Sequence, residues 1–474
     1  MVQVGQFYQG SRLLQPLCDI IGLPVDQINF LACFVIAFSS GVLMRKAIPA
    51  GRDRATQRHV FELSLGLAMG YFCFGYQLIH LLLYSTLPYL LVLYGPRRSY
   101  HTLVFTVAFA YIVIMHSYRL FYDYGGFSLD VTGPMMLMTQ KVTSVAFSVH
   151  DGMEVPDDKL SDDQRKNCIR EKPSMLEYYS YMFSFHNIMA GPLVFYTDYL
   201  SFIDGSSTKV PPPKQDNNHN SKTREPSPNA AILESFLIAM VCGFFTLISP
   251  IYYPISWMAD DKFLYETNIF YRNFYMILVV SLQRSKYYFA WKLGEMSNLG
   301  AGLGFRGYDK EGNEKWDLLT NIKIWKLETS TSLKVFIDSW NLNTVIWFRR
   351  VIYERTPPSV KTLAVFVCSG VWHGLYPGYY VTFFSTAFAV MAARLVRRNI
   401  RNYFQTSESK IFFYDGVTFI ATRFAGAYLL APFCLLEFTA SIKLLVSVGF
   451  HVHILSAIAI LWFTFINPSR KRKE

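Results

Sequence analysis

A chain of 474 residues that is 52% hydrophobic and 17% aromatic, yet only 17% charged, is poor in charge. Soluble globular domains carry about 25% charged residues, so the composition excludes an ordinary water-soluble globule and points to an integral membrane protein. The net charge of +11 is gathered in short flanks at 45–59, 394–401 and 469–474, which suits cytosolic placement under the positive-inside bias and attraction to anionic lipid; no nucleic-acid partner is expected.

The first apolar stretch, SRLLQPLCDIIGLPV (11–25), is broken by Pro16 and Asp19 and lacks a basic leader and a small-residue cleavage site. It reads as a re-entrant or interfacial helix. Runs near the 20 residues of a spanning helix follow at roughly 26–45, 59–76, 77–95, 100–120, 231–253, 264–285, 359–374, 376–396, 415–438 and 440–466. Shorter or amphipathic stretches lie near 129–149, 175–203 and 342–353. The expected fold is all-α and polytopic, with about ten or eleven spans plus short re-entrant helices.

Two polar segments, 153–172 and 206–229, read as loops, the second with a PPP run and a disordered composition. The tail 467–474 is basic and expected in the cytosol. A third polar segment, 304–332, mixes Trp316, Ile322, Ile324, Trp325 and Leu327 with its charges and suits an ordered stretch packed on a membrane domain. No internal repeat is evident, and the whole chain reads as one domain.

The seven cysteines form no close pair along the chain and suggest neither a disulfide framework nor a zinc site. His451 and His453 lack nearby carboxylate or thiol partners in sequence, so no metal is assigned to them.

Ionisable and strongly polar groups inside membrane segments are costly unless paired or functional. Here they are His116, Gln140, Lys141, His186, Asn187, Glu234, Arg284, Lys286, Asn341, His373, Arg423 and Glu437. Lys141 and Arg284 have a structural account, snorkelling or pairing with a carboxylate such as Glu234 or Glu437. His373, in SGVWHGLYPGYYVTFF (369–384), precedes Gly374, Pro377 and Gly378. A helix break around Pro377 and Gly378 would let its imidazole line a polar cavity; a satisfied core histidine is the plainer account. Asn341, 32 residues upstream in SWNLNTVIWF, heads an apolar helix, where an asparagine is equally a helix cap.

Taken together, WDLLTNIKIWKLETSTSLKVFIDSWN (316–341) and SGVWHGLYPGYY (369–380) resemble the diagnostic region of the membrane-bound O-acyltransferases, in their lysophospholipid acyltransferase branch. TQKVTSVAFSVHDG (139–152), PSMLEYYSYMFSFHNIMAGPLVFYTDYLSFIDG (173–205) and RSKYYFAWKLGE (284–295) extend the similarity over most of the chain. The resemblance implies helices around a central tunnel, with Asn341 and His373 as the catalytic pair and Asn343 as a lesser candidate. Ser184, His186 and Asn187 differ from the residues usual in that branch, which leaves lipid preference open.

The same resemblance implies acyl transfer from acyl-coenzyme A to a lysophospholipid in the endoplasmic reticulum, with membrane lipids as surroundings. Lysophosphatidylethanolamine and lysophosphatidylserine are the favoured acceptors and lysophosphatidylcholine a further one. No tightly bound cofactor is expected; acyl-coenzyme A is a co-substrate. Lys323, Lys326, Lys334, Arg349, Arg350 and Arg355 surround the WN element, where their charges suit the phosphates of coenzyme A or form an ordinary positive-inside flank; Trp340 is grouped with them as a contact for acyl-coenzyme A. Acylation of a neutral lipid or protein, and lipid or solute transport through a path lined by His373, are the alternatives.

Overall fold

The structure, a computed structural model, describes residues 7–126, 128–209 and 226–466. It is almost wholly helical; among these residues the strands are Gly307–Tyr308 and Glu314–Lys315, one short antiparallel hairpin.

Among the described residues, six helical stretches are long and apolar enough to cross a membrane: Val25–Ala47, Arg52–Tyr94, Tyr100–Tyr122, Asn229–Tyr252, Pro377–Phe404 and Glu408–Leu435. A seventh is the pair Phe438–Ser447 and His451–Ile466, bent by 73° where Gly449 and Phe450 both have positive φ. This is fewer than the ten or eleven expected, for identifiable reasons. The candidates at 59–76 and 77–95 form one helical run of 43 residues, about 65 Å if straight and twice a bilayer core, which Gly75 divides. Its φ is +54°, and a β-carbon there would sit 2.2 Å from the carbonyl oxygen of Gln9, so only glycine fits this turn. Lys361–His373 has 13 residues, about 20 Å of helix, too short to span. Ile269–Ala301 carries Arg272, Arg284, Lys286, Lys292 and Glu295 along its 33 residues, too many charges for a lipid-facing span.

The chain divides into two compact units. One comprises Met1–Met240, Ala290–Asn321 and Asn343–Glu354. Its central element is Thr132–Glu154, of whose 23 residues 15 are buried, packed against Leu78–Tyr94, Tyr100–Tyr122, Met175–Met182 and Tyr196–Ile203. A helix buried on all sides needs each polar side chain satisfied from within. Thr139 bonds to the Tyr84 hydroxyl at 2.7 Å, the Gln140 amide donates to Thr344 at 2.9 Å, and the Trp347 indole donates to Thr143 at 2.9 Å. Lys141 donates to the carbonyl of Tyr181 at 2.8 Å and reaches Ser184 at 3.3 Å, so it neither snorkels nor pairs with a carboxylate.

The expected loop 153–172 is partly helical. Ser161 and Gln164 form a capping box that starts Asp162–Asn167, and Asp163 on that turn receives Arg350 in a two-pronged bond of 2.7 and 2.8 Å. In the segment 206–229, residues 210–225 lie outside the described residues, as does the tail 467–474. The stretch near 12–22 forms Gln15–Ile21, a helix with no buried residue that exposes Leu17, Ile20 and Ile21. The segment 304–332 is ordered as expected, with Trp316 packed on Phe305. Cys33 and Cys73, distant in sequence, meet with their sulfurs 3.3 Å apart in the buried interior of this unit.

The second unit comprises Val241–Phe289, Ile322–Leu342 and Arg355–Glu474. Pro377–Ile400 is its axis, packed against Lys361–His373, Glu408–Leu435 and His451–Leu461. Met258, Phe263, Met276, Val279, Tyr428 and Leu444 are among the side chains of its apolar core.

Candidate active site

His373 is the last residue of Lys361–His373, which Gly374 stops with φ +131°. Pro377 occupies the first turn of the next helix, where a missing N–H costs nothing and a fixed φ helps. The break thus lies at Gly374–Tyr376, three residues before the expected place. Gly378 lets the new helix start against the end of Glu408–Leu435: its N–H donates to the carbonyl of Leu436 at 2.7 Å, and a β-carbon would meet the Pro432 oxygen at 2.2 Å.

This arrangement sets the imidazole in an aromatic enclosure. Its ring centroid is 5.4 Å from Phe383 in a stacked pose, 5.2 Å from Phe433 edge-on, 6.0 Å from Tyr379 and 4.7 Å from Trp372. Trp372 is buried, whereas His373 is only half-buried. The imidazole is thus walled by aromatic rings and partly accessible.

Asn341 belongs to the same unit and connects Leu333–Asp338 to Leu342–Val351. Its φ is +48°. Helix caps normally have extended backbone, whereas Asn341 is one of three non-glycine residues with positive φ among those described. Asparagine tolerates that region better than most side chains. Asn343 is different. It is buried, its side chain donates to the carbonyl of Leu193 at 3.0 Å, and its N–H donates to the Asn321 side chain at 3.3 Å. These bonds give Asn343 a structural job.

The residues expected around acyl-coenzyme A divide between the units. Lys323, Lys326 and Lys334 are exposed in the second unit, where Lys334 pairs with Asp338 and the Lys323 N–H donates to Ser339 O at 3.0 Å. Trp340 packs its ring 5.6 Å from Tyr287 and 6.0 Å from Tyr288. Arg349 and Arg350 lie in the first unit and converge on Asp163; Arg349 also reaches Glu354 at 3.3 Å, and Arg350 lies 4.2 Å over the Phe195 ring. The Arg350 guanidinium holds the Asp163 carboxyl below its ordinary value, with Arg349 adding to the effect.

Other polar candidates find partners that the sequence did not disclose. His186 is held between Glu62 at 2.9 Å and Asn298 at 2.8 Å, fully buried. His453 bonds Tyr428 at 2.7 Å and Ser385 at 2.9 Å, and His451 bonds the carbonyl of Val448 at 3.0 Å. Arg284 pairs with Glu328 at 2.6 Å, not with Glu234 or Glu437 as expected. Glu328 stands in KLETSTS, outside any apolar run, where a carboxylate carries no signal of a buried partner.

Residues 116–424 match the membrane-bound O-acyltransferase family, a span that contains Asn341 and His373. The chain is 42% identical over 470 residues to lysophospholipid acyltransferase 6 of Drosophila melanogaster, a match covering 98% of this chain and 64% of the fly protein. It thus spans less than two thirds of that relative's length. It is 37% identical to human membrane-bound glycerophospholipid O-acyltransferase 2, with 98% and 90% of the two chains covered. A lysophospholipid acyltransferase of Schizosaccharomyces pombe is 30% identical over 96% of this chain and 89% of its own. The chain belongs to the membrane-bound O-acyltransferase family.

Proposed function

We propose that this protein is a lysophospholipid O-acyltransferase that moves an acyl group from acyl-coenzyme A to the free sn-2 hydroxyl of a lysophospholipid, within the endoplasmic reticulum membrane. Lysophosphatidylethanolamine and lysophosphatidylserine are the favoured acceptors and lysophosphatidylcholine a further one. The chief support is the placement of His373, half-buried at a helix end and walled by Phe383, Phe433 and Tyr379, in a chain whose relatives are named lysophospholipid acyltransferase or glycerophospholipid O-acyltransferase.

A glycerol hydroxyl is a poor nucleophile at neutral pH. Neutral His373 takes its proton as the oxygen attacks the thioester carbonyl, a form of help worth about 10²–10⁴ in rate. The amide of Asn341 donates to the developing oxyanion, a contribution of about 10²–10³. Collapse of the tetrahedral intermediate breaks the carbon–sulfur bond, and the imidazolium returns the proton to the departing thiolate. The products are a diacyl phospholipid and free coenzyme A, and no resident cofactor takes part. The acceptor enters laterally from the bilayer, so its tail need not pass through water.

The test is an assay of the purified chain in lipid nanodiscs with labelled oleoyl-coenzyme A and a panel of lysophospholipids, neutral glycerides and acceptor peptides. Transfer to lysophosphatidylethanolamine or lysophosphatidylserine, lost in His373→Ala with the fold retained, is the expected result. Transfer only to a glyceride or peptide would move the acceptor to another class. Lipid or solute movement that persists in His373→Ala, with no transfer to any acceptor, would replace the enzyme by a transporter.

A further inference from the structure

Glu328 closes the short helix Ile324–Glu328 and gathers donors from two others. The Arg284 guanidinium donates to it from Nε at 3.0 Å and from Nη2 at 2.8 and 2.6 Å. The Tyr288 hydroxyl, one turn further along the same helix, donates at 2.6 Å. Arg423 donates from Nη1 at 3.2 Å and also holds the chain next to Glu328 through the Leu327 carbonyl at 2.9 Å and the Ser330 hydroxyl. Both guanidiniums lie over the ring of Phe336, at 5.7 and 5.2 Å. Bonds of this charge-assisted kind are stronger and more directional than neutral ones.

From this cluster the contacts run to Asn341. The Tyr288 ring lies 6.0 Å from Trp340 and the Tyr287 ring 5.6 Å from it. Trp340 is the residue before Asn341, whose backbone is held at φ +48°. Asparagine enters that region more readily than most residues, and its direction there follows from how its neighbour Trp340 is held between chain and rings. Two guanidiniums share one carboxylate, so loss of the carboxylate would leave two like charges facing each other in an apolar unit, an expensive outcome.

We propose that Glu328, with Arg284, Arg423 and Tyr288, is a positioning device that fixes Trp340 and thereby the direction of the Asn341 amide. The proposal rests on the reading that Asn341 serves the transfer step, but its structural half does not depend on it. Tyr288→Phe is the discriminating variant, since it keeps the ring against Trp340 and removes only the hydroxyl, with its bond to Glu328 and the one it accepts from Arg284 Nε at 3.1 Å. Two measurements on the full chain in nanodiscs test it.

Hydrogen exchange followed by mass spectrometry should show the peptide spanning 338–344 exchanging roughly tenfold faster in Tyr288→Phe, with the rest of the second unit unchanged. With oleoyl-coenzyme A and lysophosphatidylethanolamine, kcat should fall about tenfold, since small misplacements of a catalytic group are costly; both KM values should stay within about twofold. Glu328→Gln should show the same pattern more strongly, and Glu328→Asp should restore part of it. Unaltered exchange at 338–344 in Tyr288→Phe overturns the proposal even if no acyl transfer is ever observed. So does a loss confined to KM, or one matched by a lowered melting point, which would make the cluster a general brace. Wild-type transfer by Asn341→Gly would instead remove the role assigned to Asn341 and leave the exchange result standing.

Discussion

His373 and Phe383 stack with their ring centroids 5.4 Å apart and their planes 24° from parallel. Phe383 lies in the second turn of the helix that Pro377 begins, so the break after His373 brings a ring from the following helix back over the imidazole. Replacing Phe383 by leucine removes that flat wall while keeping apolar bulk. We expect kcat to fall about tenfold through a less well oriented base, with the melting point changed little. Steady-state kinetics and a thermal melt of the same preparation check this.

Asn341 and Asn343 should separate cleanly under mutation. Asn341→Gly supplies a residue at ease at φ +48° and removes only the amide, so the fold should survive while transfer drops by about 10²–10³. Asn343→Ala breaks the bond to Leu193 and strands a buried carbonyl, a loss of about 1–3 kcal/mol in stability. Denaturation midpoints and initial rates, measured side by side, decide between this assignment and its reverse.

Gly378 should tolerate no side chain. In Gly378→Ala the new β-carbon lies 2.2 Å from the oxygen of Pro432 and 2.9 Å from that of Leu436, both backbone atoms that cannot swing away. We expect a loss of about 1–3 kcal/mol and a lower melting point. An alanine variant as stable as the parent would mean that the two helix ends are not packed as described.

Acid should act on the Asp163–Arg350 pair. The folded carboxyl titrates below its unfolded value because of the guanidiniums of Arg350 and Arg349. Stability from this group is therefore present above the unfolded carboxylate range and is lost as pH falls through the folded value. Asp163→Asn should be less stable than the parent at neutral pH, and the gap between the two should narrow as the solution is acidified. Melting curves at several pH values read this directly; a gap that widens toward acid would reverse the sign of the linkage.

The sequence disclosed the helical membrane character through its charge deficit, and the WN and WHG elements through their order along the chain. Its span count exceeds that of the structure because hydropathy alone does not see that 59–76 and 77–95 belong to one helical run with a turn at Gly75, nor the 13-residue limit on Lys361–His373. It pointed to His373 and Asn341 as candidates but not to their surroundings. Phe433 is 60 residues beyond His373, and no local pattern announces that the two rings meet. Partner choice failed for the same reason: Arg284 had apolar-segment carboxylates as its apparent options, while Glu328 sat 44 residues away in a polar stretch. Asn343, two positions from Asn341, was separable only once its bonds to Asn321 and Leu193 were visible.

The most direct measurement of the central claim is single-turnover transfer of labelled oleoyl-coenzyme A to lysophosphatidylethanolamine by purified wild-type, His373→Ala and Asn341→Gly proteins of equal melting point. The account predicts labelled diacyl phospholipid from the wild type, a rate lower by at least about two orders of magnitude for each variant, and bound donor in all three. Equal rates in the three proteins would contradict it.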